Sequence, residues 1–348
     1  MTNYRITINN DILNLISELD EFKGRWQAIN SLSFNRLSLL KKSATIESIA
    51  SSTRIEGVKL SDEQVETLLS KIKRKSFKSR DEEEVVGYSE AMDLILENFD
   101  DLKITENHFK QLHSMLLKHS SKDVRHRGEY KKLNNHVVAI DAKGKEIGIV
   151  FKTATPFETP RKMADLLDWV NKSLEQKTSH PLIITGIFIV VFLAIHPFQD
   201  GNGRLSRILT NLLLLKFGYS YIQYSSLESV IEHNKDLYYK HLRNCQITLE
   251  SKKPKFENWI LFFLKSLKKQ KDALEKKIKT EKILQENFDN LHLQILQILK
   301  NHKSLSIADI QRLSEANRNT IKVKIRDLVA MKKIKSFGKG RGVVYEIC

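Results

Sequence analysis

Two adjoining stretches decide the fold: LIITGIFIVVFLAI at residues 182–195 and HPFQDGNGRLSR at residues 196–207. The first is uninterrupted apolar sequence, yet a bilayer-spanning helix takes about twenty such residues, so it reads as a core element of a soluble protein. It stops at His196-Pro197 because proline disfavours helical geometry in the residue before it, which leaves the histidine on a rigid, buried stem. Gly201, Asn202 and Gly203 tolerate left-handed dihedrals, and a helix is predicted to begin near Arg204. Successive backbone N–H groups in such a turn, at a helix N-terminus, form a nest for anions. Arg204 and Arg207 lie three apart and are expected on one side of that helix, two planar guanidinium groups suited to phosphate oxygens. Asp200, beside the nest, is an acid where magnesium ligands of phosphate sites are found. The twelve residues thus combine a histidine base, a metal carboxylate and a polyphosphate cradle.

Outward from this stretch the spacing is mostly helical. Apolar steps of three and four predict helices over 11–26, 61–72, 84–96, 105–117, 160–174 and 205–217. Glu82-Glu83-Glu84 reads as a solvated helix start, and His233 and His241 as surface residues; His113 and His119 share no convincing face. HVVAI at 136–140 and EIGIVF at 146–151 flank a turn-forming segment and predict a β-hairpin inserted between helices. Residues 251–280 read as a helix leaving the core to become a charged connector. Three short helices over 291–331 and a strand, Gly-rich turn and strand then follow, the order of a winged helix-turn-helix domain. The expected architecture is mainly α: N-terminal helices over 1–100, a catalytic core over 101–265, a basic helical connector over 266–284 and the winged domain over 285–348.

The 348 residues carry 58 basic and 42 acidic side chains, a formal charge of +16, but the excess is local. Residues 251–348 hold 23 basic and 10 acidic groups, leaving the first 250 nearly neutral, so the composition alone does not make the core a nucleic-acid binder. Cys245 and Cys348 cannot form a disulfide framework or a thiolate metal site, and the N-terminus lacks a basic region followed by an apolar run; a reducing, cytoplasmic location is expected.

Residues 196–207 match His-x-Phe-x-[Asp/Glu]-Gly-Asn-Gly-Arg-x-x-Arg, for which chance agreement in a chain of this length is on the order of 10⁻⁸ to 10⁻⁷. This is the signature of the Fic-domain family. The resemblance extends through Gly128-Glu-Tyr-Lys131, the hairpin as the family's flap, and Thr155 to Trp169, covering roughly residues 40–265. It implies a Fic-type helical core that transfers AMP from ATP to a protein Ser, Thr or Tyr hydroxyl, because the Gly-Asn-Gly-Arg segment is intact. It implies His196 as the base, Asp200 as the Mg²⁺ ligand, and Gly201, Asn202, Gly203, Arg204 and Arg207 as phosphate ligands. Tyr238 and Tyr239 fall where members line the nucleotide pocket. Val138, Ala139 and Ile140 of the flap would hold an extended target segment by strand addition, and Phe198 is assigned to the core beneath the loop.

Ser52-Thr-Arg-Ile-Glu56-Gly57 fits the pattern of the family's inhibitory helix, expected around 45–57, in which Glu56 pairs with Arg207 and occupies the place of the γ-phosphate. Two other readings stay open. An acid at Glu56 can also orient water, so the same pocket could remove AMP. A basic third helix in the C-terminal domain, with Arg318, Lys322, Lys324 and Arg326, and Lys339 and Arg341 in the wing, suits a DNA-binding regulator with the core as nucleotide sensor. The expected partners are ATP and a protein target, which includes the chain itself, with DNA and a second copy as further candidates and no membrane.

Overall fold

The computed structural model describes residues 4, 6–27, 34–70, 77, 79–140, 146–251, 253–287, 290–300, 302, 304–338 and 340–348. The chain divides into two compact units, residues 1–274 and 275–348.

Unit 1 is mainly helical, as expected. It contains α1 (Asn10–Gln27), α2 (Phe34–Ile55), α3 (Asp62–Ser70), α4 (Arg80–Asn98), α5 (Glu106–Leu116), the hairpin strands β1 (Val137–Ile140) and β2 (Glu146–Phe151), α6 (Thr159–Glu175), α7 (Pro181–Ile195), α8 (Asn202–Lys216), α9 (Leu227–His233) and α10 (Lys235–Gln246). Another helix, α11 (Glu257–Asn287), runs across the division. Local signals set the helix starts: the Ser79 and Thr105 side chains accept from the Glu82 and His108 N–H groups to cap α4 and α5, and α6 carries proline in its first turn. The apolar stretch at 182–195 forms α7, which is buried on nearly every side and packs against α6, α8 and α10. The indole Nε1–H of Trp259 on α11 donates to the Gly186 carbonyl of α7 at 2.7 Å.

The predicted connector differs from what is found. Leu267 and Leu274 of α11 are buried, and Ser225 and Gln270 exchange hydrogen bonds at 2.6 and 3.0 Å, so the first half of the basic helix is core. Lys265 and Lys269 lie on the exposed face, while Lys271 is buried and held by Glu18 of α1 at 2.7 Å. The N-terminal helices share one unit with residues 101–265.

The hairpin is antiparallel with irregularities after Val137 and Ala139. Its turn at 141–145, and the side chains of Val138, Ala139 and Ile140, lie outside the described residues.

Unit 2 contains α12 (Asn290–Lys300), β3 (Leu305–Ser306), α13 (Ile307–Ser314), α14 (Arg318–Ala330), β4 (Ile334–Phe337) and β5 (Val344–Ile347). The strands form an antiparallel sheet in the order β3-β5-β4, and Ile295, Ile310, Ile321, Ile325, Leu328 and Ile334 make the core.

Candidate active site

The loop between α7 and α8 is fixed from several directions. His196 caps α7 in a left-handed conformation, φ 53° and ψ 60°, which a non-glycine residue keeps only when its surroundings hold it there. Its Nδ1 lies 3.3 Å from the Leu193 carbonyl, and a carbonyl only accepts, so Nδ1 carries the proton and Nε2 keeps its lone pair. Burial pushes the imidazole pKa down to about 4, with the Leu193 carbonyl acting the other way and the Lys131 ammonium assisting. At neutral pH the ring is an uncharged base.

Phe198 is fully buried, as expected, and stacks on His113 with ring centres 3.8 Å apart. The Asn202 side chain accepts from the Phe198 N–H at 2.9 Å and donates to the Phe198 carbonyl at 2.7 Å, which ties the carboxamide to the loop and leaves its second N–H and the backbone N–H as donors.

Gly201 turns the chain with φ 77°, and α8 opens at Asn202, two residues earlier than predicted, with no side-chain cap. The first-turn N–H groups therefore face the loop without intrahelical acceptors. The Asp200 Oδ1 accepts from the Gly201 N–H at 2.6 Å and from Arg204 at 3.3 Å, while Oδ2 lies 3.2 Å from Arg80. Burial alone would raise this carboxyl, but Arg204, the Gly201 N–H and Arg80 outweigh it, and the acid is held ionised. Arg204 is 3% exposed and pairs with Glu84 at 2.8 Å; its Nε has no hydrogen-bond partner among the described residues. Glu84 is thus not a solvated helix start. It is 10% exposed because α4 packs on α8 and presents it to Arg204.

Arg207 turns to α2, where the inhibitory-helix pattern puts Glu56 opposite it. Its Nε donates to Ser52 Oγ at 2.7 Å, and one terminal nitrogen donates to the Ser52 carbonyl at 3.0 Å and to Glu56 Oε1 at 2.7 Å. Burial disfavours charge on Glu56, but the Arg207 guanidinium overrides this and holds the carboxyl below its usual range. Gly203 makes the contact sterically possible: a Cβ there would lie 2.2 Å from Glu56 Oε1. The end of α2 is tied down further. Arg54 makes a bidentate pair with Glu232 of α9 at 2.6 and 2.9 Å and a third bond to Asp62 at 2.7 Å, while Lys235 Nζ donates to the Ile55 carbonyl at 2.6 Å.

Tyr238 is buried and Tyr239 half-buried, and both feel the charges of Glu56 and Arg207. A cleft beside them is lined by Arg207, Glu228, Ile231, Tyr238, Trp259 and Phe262.

Three side chains to which the sequence assigned no role at this loop hold it. His113 accepts from the Gly128 N–H at Nδ1 (2.8 Å), which leaves Nε2–H to donate to the Asp200 carbonyl at 3.0 Å. Lys131, 3% exposed, donates to the Ile195 carbonyl, Asn135 Oδ1 and Thr153 Oγ1 at 2.7–3.0 Å, and burial pushes its pKa down to about 8. Asn135 donates to the Phe198 and His196 carbonyls at 2.6 and 3.3 Å. A signal existed for His113, which stands on the apolar stripe Phe109, Leu112, Leu116 of α5, where a histidine needs two partners.

Among the described residues, no cluster of three or more His, Cys, Asp or Glu could cage a metal. The donor set nevertheless suits Mg²⁺: one ionised carboxylate beside a nest of N–H groups is what that ion takes when phosphates complete its shell.

The profile of the Fic/DOC family matches residues 103–214. Among curated proteins, the chain is 30% identical over 206 residues to the protein adenylyltransferase Fic of Drosophila mojavensis, covering 59% of this chain and 38% of that one. It is 31% identical over 198 residues to the same-named protein of Aedes aegypti, covering 55% and 37%. The match thus spans about two-fifths of these relatives' length. Among solved structures, a Fic family protein from Desulfovibrio desulfuricans superposes with a TM-score of 0.67 at 24% identity, covering 100% of this chain and 98% of that one. A Fic domain containing signaling protein from Bacteroides thetaiotaomicron gives 0.57 at 22% identity, covering 77% and 97%. At these identities the superpositions speak for the fold.

Proposed function

We propose, from the premise that this chain carries a Fic/DOC family domain at residues 103–214, that it transfers AMP from ATP to a protein hydroxyl and that Glu56 restrains the reaction. The observation that carries the reading is the neutral His196, with Nε2 unprotonated, one loop away from the open N-terminus of α8. Nε2 takes the proton of a Ser, Thr or Tyr hydroxyl as its oxygen bonds to the α-phosphorus. The bond from that phosphorus to the bridging oxygen breaks, and pyrophosphate leaves. The N–H groups of Asn202, Gly203 and Arg204 and the Arg204 guanidinium stabilise phosphate charge, while the Gly201 N–H holds Asp200 in place. Asp200 would hold Mg²⁺, which when bound neutralises phosphate oxygens. The aromatic cleft beside Tyr238 and Tyr239 suits the nucleoside, and the free edge of the hairpin suits an extended target.

Restraint follows from charge. Arg207 cannot serve a terminal phosphate while Glu56 and Ser52 hold it, so ATP enters only in a pose unfit for attack. Because Glu56 is ionised, the same pocket is also suited to direct water at a modified side chain and release AMP. We read unit 2 as a winged helix-turn-helix module on its element order, and the compartment as cytoplasmic on its two unpaired cysteines; among the described residues no helix is long and apolar enough to cross a membrane.

Incubation with labelled ATP and Mg²⁺ followed by intact-mass measurement tests the reaction. We expect a gain of one AMP that Glu56→Gly increases at least about tenfold, as freeing the buried Arg207 from its carboxylate allows, and that His196→Ala abolishes. A gain of one phosphate sinks the transfer reading, and equal labelling of wild type and Glu56→Gly sinks the restraint.

A further inference from the structure

We propose that unit 2 binds duplex DNA, with α14 lying in the major groove. The geometry begins with the connection from α13 to α14. Three residues, 315–317, join the two helices; Glu315 is left-handed at φ 54° and ψ 16°, and Asn317 caps α14 by accepting from the Asn319 N–H at 2.9 Å. A short turn of this kind between two crossed helices is the helix-turn-helix arrangement, in which the second helix enters the groove. α12 packs against both helices and seals their inner faces through Ile310, Ile321, Ile325 and Leu328, so the outer face of α14 takes no part in the fold.

That face carries Asn319, Lys322, Val323 and Arg326, at steps of three and four, with Arg318 at its start, all exposed. The residue types match the donor and acceptor pattern of base edges: Asn for adenine, Lys and Arg for guanine or phosphate, and a central Val for the thymine methyl group. Val323 is 43% exposed among cations, where its methyl groups are free to meet a thymine methyl. At thirteen residues, α14 is about 20 Å long and about 10–12 Å across with side chains, which fits a groove about 12 Å wide.

The neighbouring charges favour a polyanion. Lys332 and Lys333 follow α14 and Lys335 sits on β4, all exposed, near enough in sequence to reach the flanking backbone. Against them stand the exposed Glu315 before the helix and Asp327 near its end, the latter 3.5 Å from His292. Gly338 and Gly340, both with positive φ, bend the turn between β4 and β5 into the wing that accompanies such helices. The surface therefore offers base-reading groups on one helix and phosphate-binding groups beside it.

Binding of fluorescein-labelled random 24-mer duplexes to the full chain, followed by anisotropy, tests this. His196→Ala serves as the host protein, so AMP transfer plays no part in the outcome. About four phosphate contacts imply that affinity falls about 100-fold between about 50 and 200 mM salt. Lys322→Glu and Arg326→Glu should each weaken binding at least about tenfold, while Lys265→Glu, the same charge change on α11, leaves it nearly unchanged. Sequences selected from the random pool should share a motif that Asn319→Ala blurs. The circular dichroism spectra of the α14 variants, unchanged from the parent, would show that the fold survives. No binding at about 50 mM salt overturns the proposal, as does equal weakening by Lys265→Glu. So does a change of oligomeric state in the Lys322→Glu protein without any DNA binding, which would make this face a protein contact.

Discussion

His113 and His196 are two histidines whose protonation the fold opposes. Burial brings each to about pKa 4, against 6.5 for an unhindered ring. For a group whose folded pKa is lowered, the unfolded chain binds the proton first, so stability is complete above pH 6.5 and declines as pH falls towards 4. Most carboxylates titrate below the interval from pH 6.5 to 5; within it burial also lowers the less buried His241, while Glu228 and Asp93, raised by burial, act in the opposite sense, so His113 and His196 set the main part of the slope. We expect urea unfolding to show stability falling across that interval with a slope of roughly two protons. His113→Phe keeps a ring against Phe198 but removes one of the two titrations, so the slope should drop to roughly one proton. The variant also orphans the Gly128 N–H and the Asp200 carbonyl, at about 1–3 kcal/mol for the buried groups, and its AMP transfer should fall through looser phosphate binding. An unchanged slope would mean that the His113 ring is protonated in the native state.

At the scale of elements, α2 is a lever whose end carries Glu56, and the bond that seats it is not the one in the motif. Arg54 joins α2 to Glu232 of α9 and to Asp62 at the start of α3. The pair is about one-quarter exposed, so its removal should cost about 1–2 kcal/mol rather than the full value of a buried pair. We expect Arg54→Ala to raise AMP transfer several-fold, less than Glu56→Gly, and to lower the melting temperature, which Glu56→Gly need not do. Transfer that stays at the wild-type level would show Ser52 and Lys235 to be sufficient anchors. Helical spacing and the 196–207 pattern made α4 to α8 and the loop legible in the sequence, because both are local. Apart from the Arg207–Glu56 pair, which the inhibitory-helix pattern implied, what escaped was the identity of partners. Nothing near Asn202 says that Phe198 will engage its carboxamide, and nothing near Glu84 says that Arg204 will bury it. Arg204 and Arg207 share a helix face by spacing, yet α4 and α2 supply different acids and draw them apart. Such pairings depend on which helices pack together, and a single sequence does not encode that in any one window.

The whole molecule differs most from a reading by segments in where its larger unit ends. The family match stops at residue 214 and the charge change sets in near 251, both of which suggest a core that is finished before α11. Yet Trp259, Ile260, Phe263, Leu264 and Leu267 are each at most 3% exposed, and the Trp259 indole reaches the Gly186 carbonyl inside α7, the helix that carries His196. Five such side chains bury about 1.5–3 kcal/mol apiece, which together matches the entire stability of an ordinary domain. A chain ending at residue 250 should therefore express as insoluble or protease-sensitive material despite holding every motif residue. A chain ending at residue 287 keeps all of α11 and should fold, melt cooperatively and retain Glu56-restrained AMP transfer, while losing any DNA binding. If the shorter chain folds and labels itself as well as the longer one, α11 belongs functionally with unit 2; if only the longer one does, the basic helix is a wall of the active site whose lysines merely face away from it.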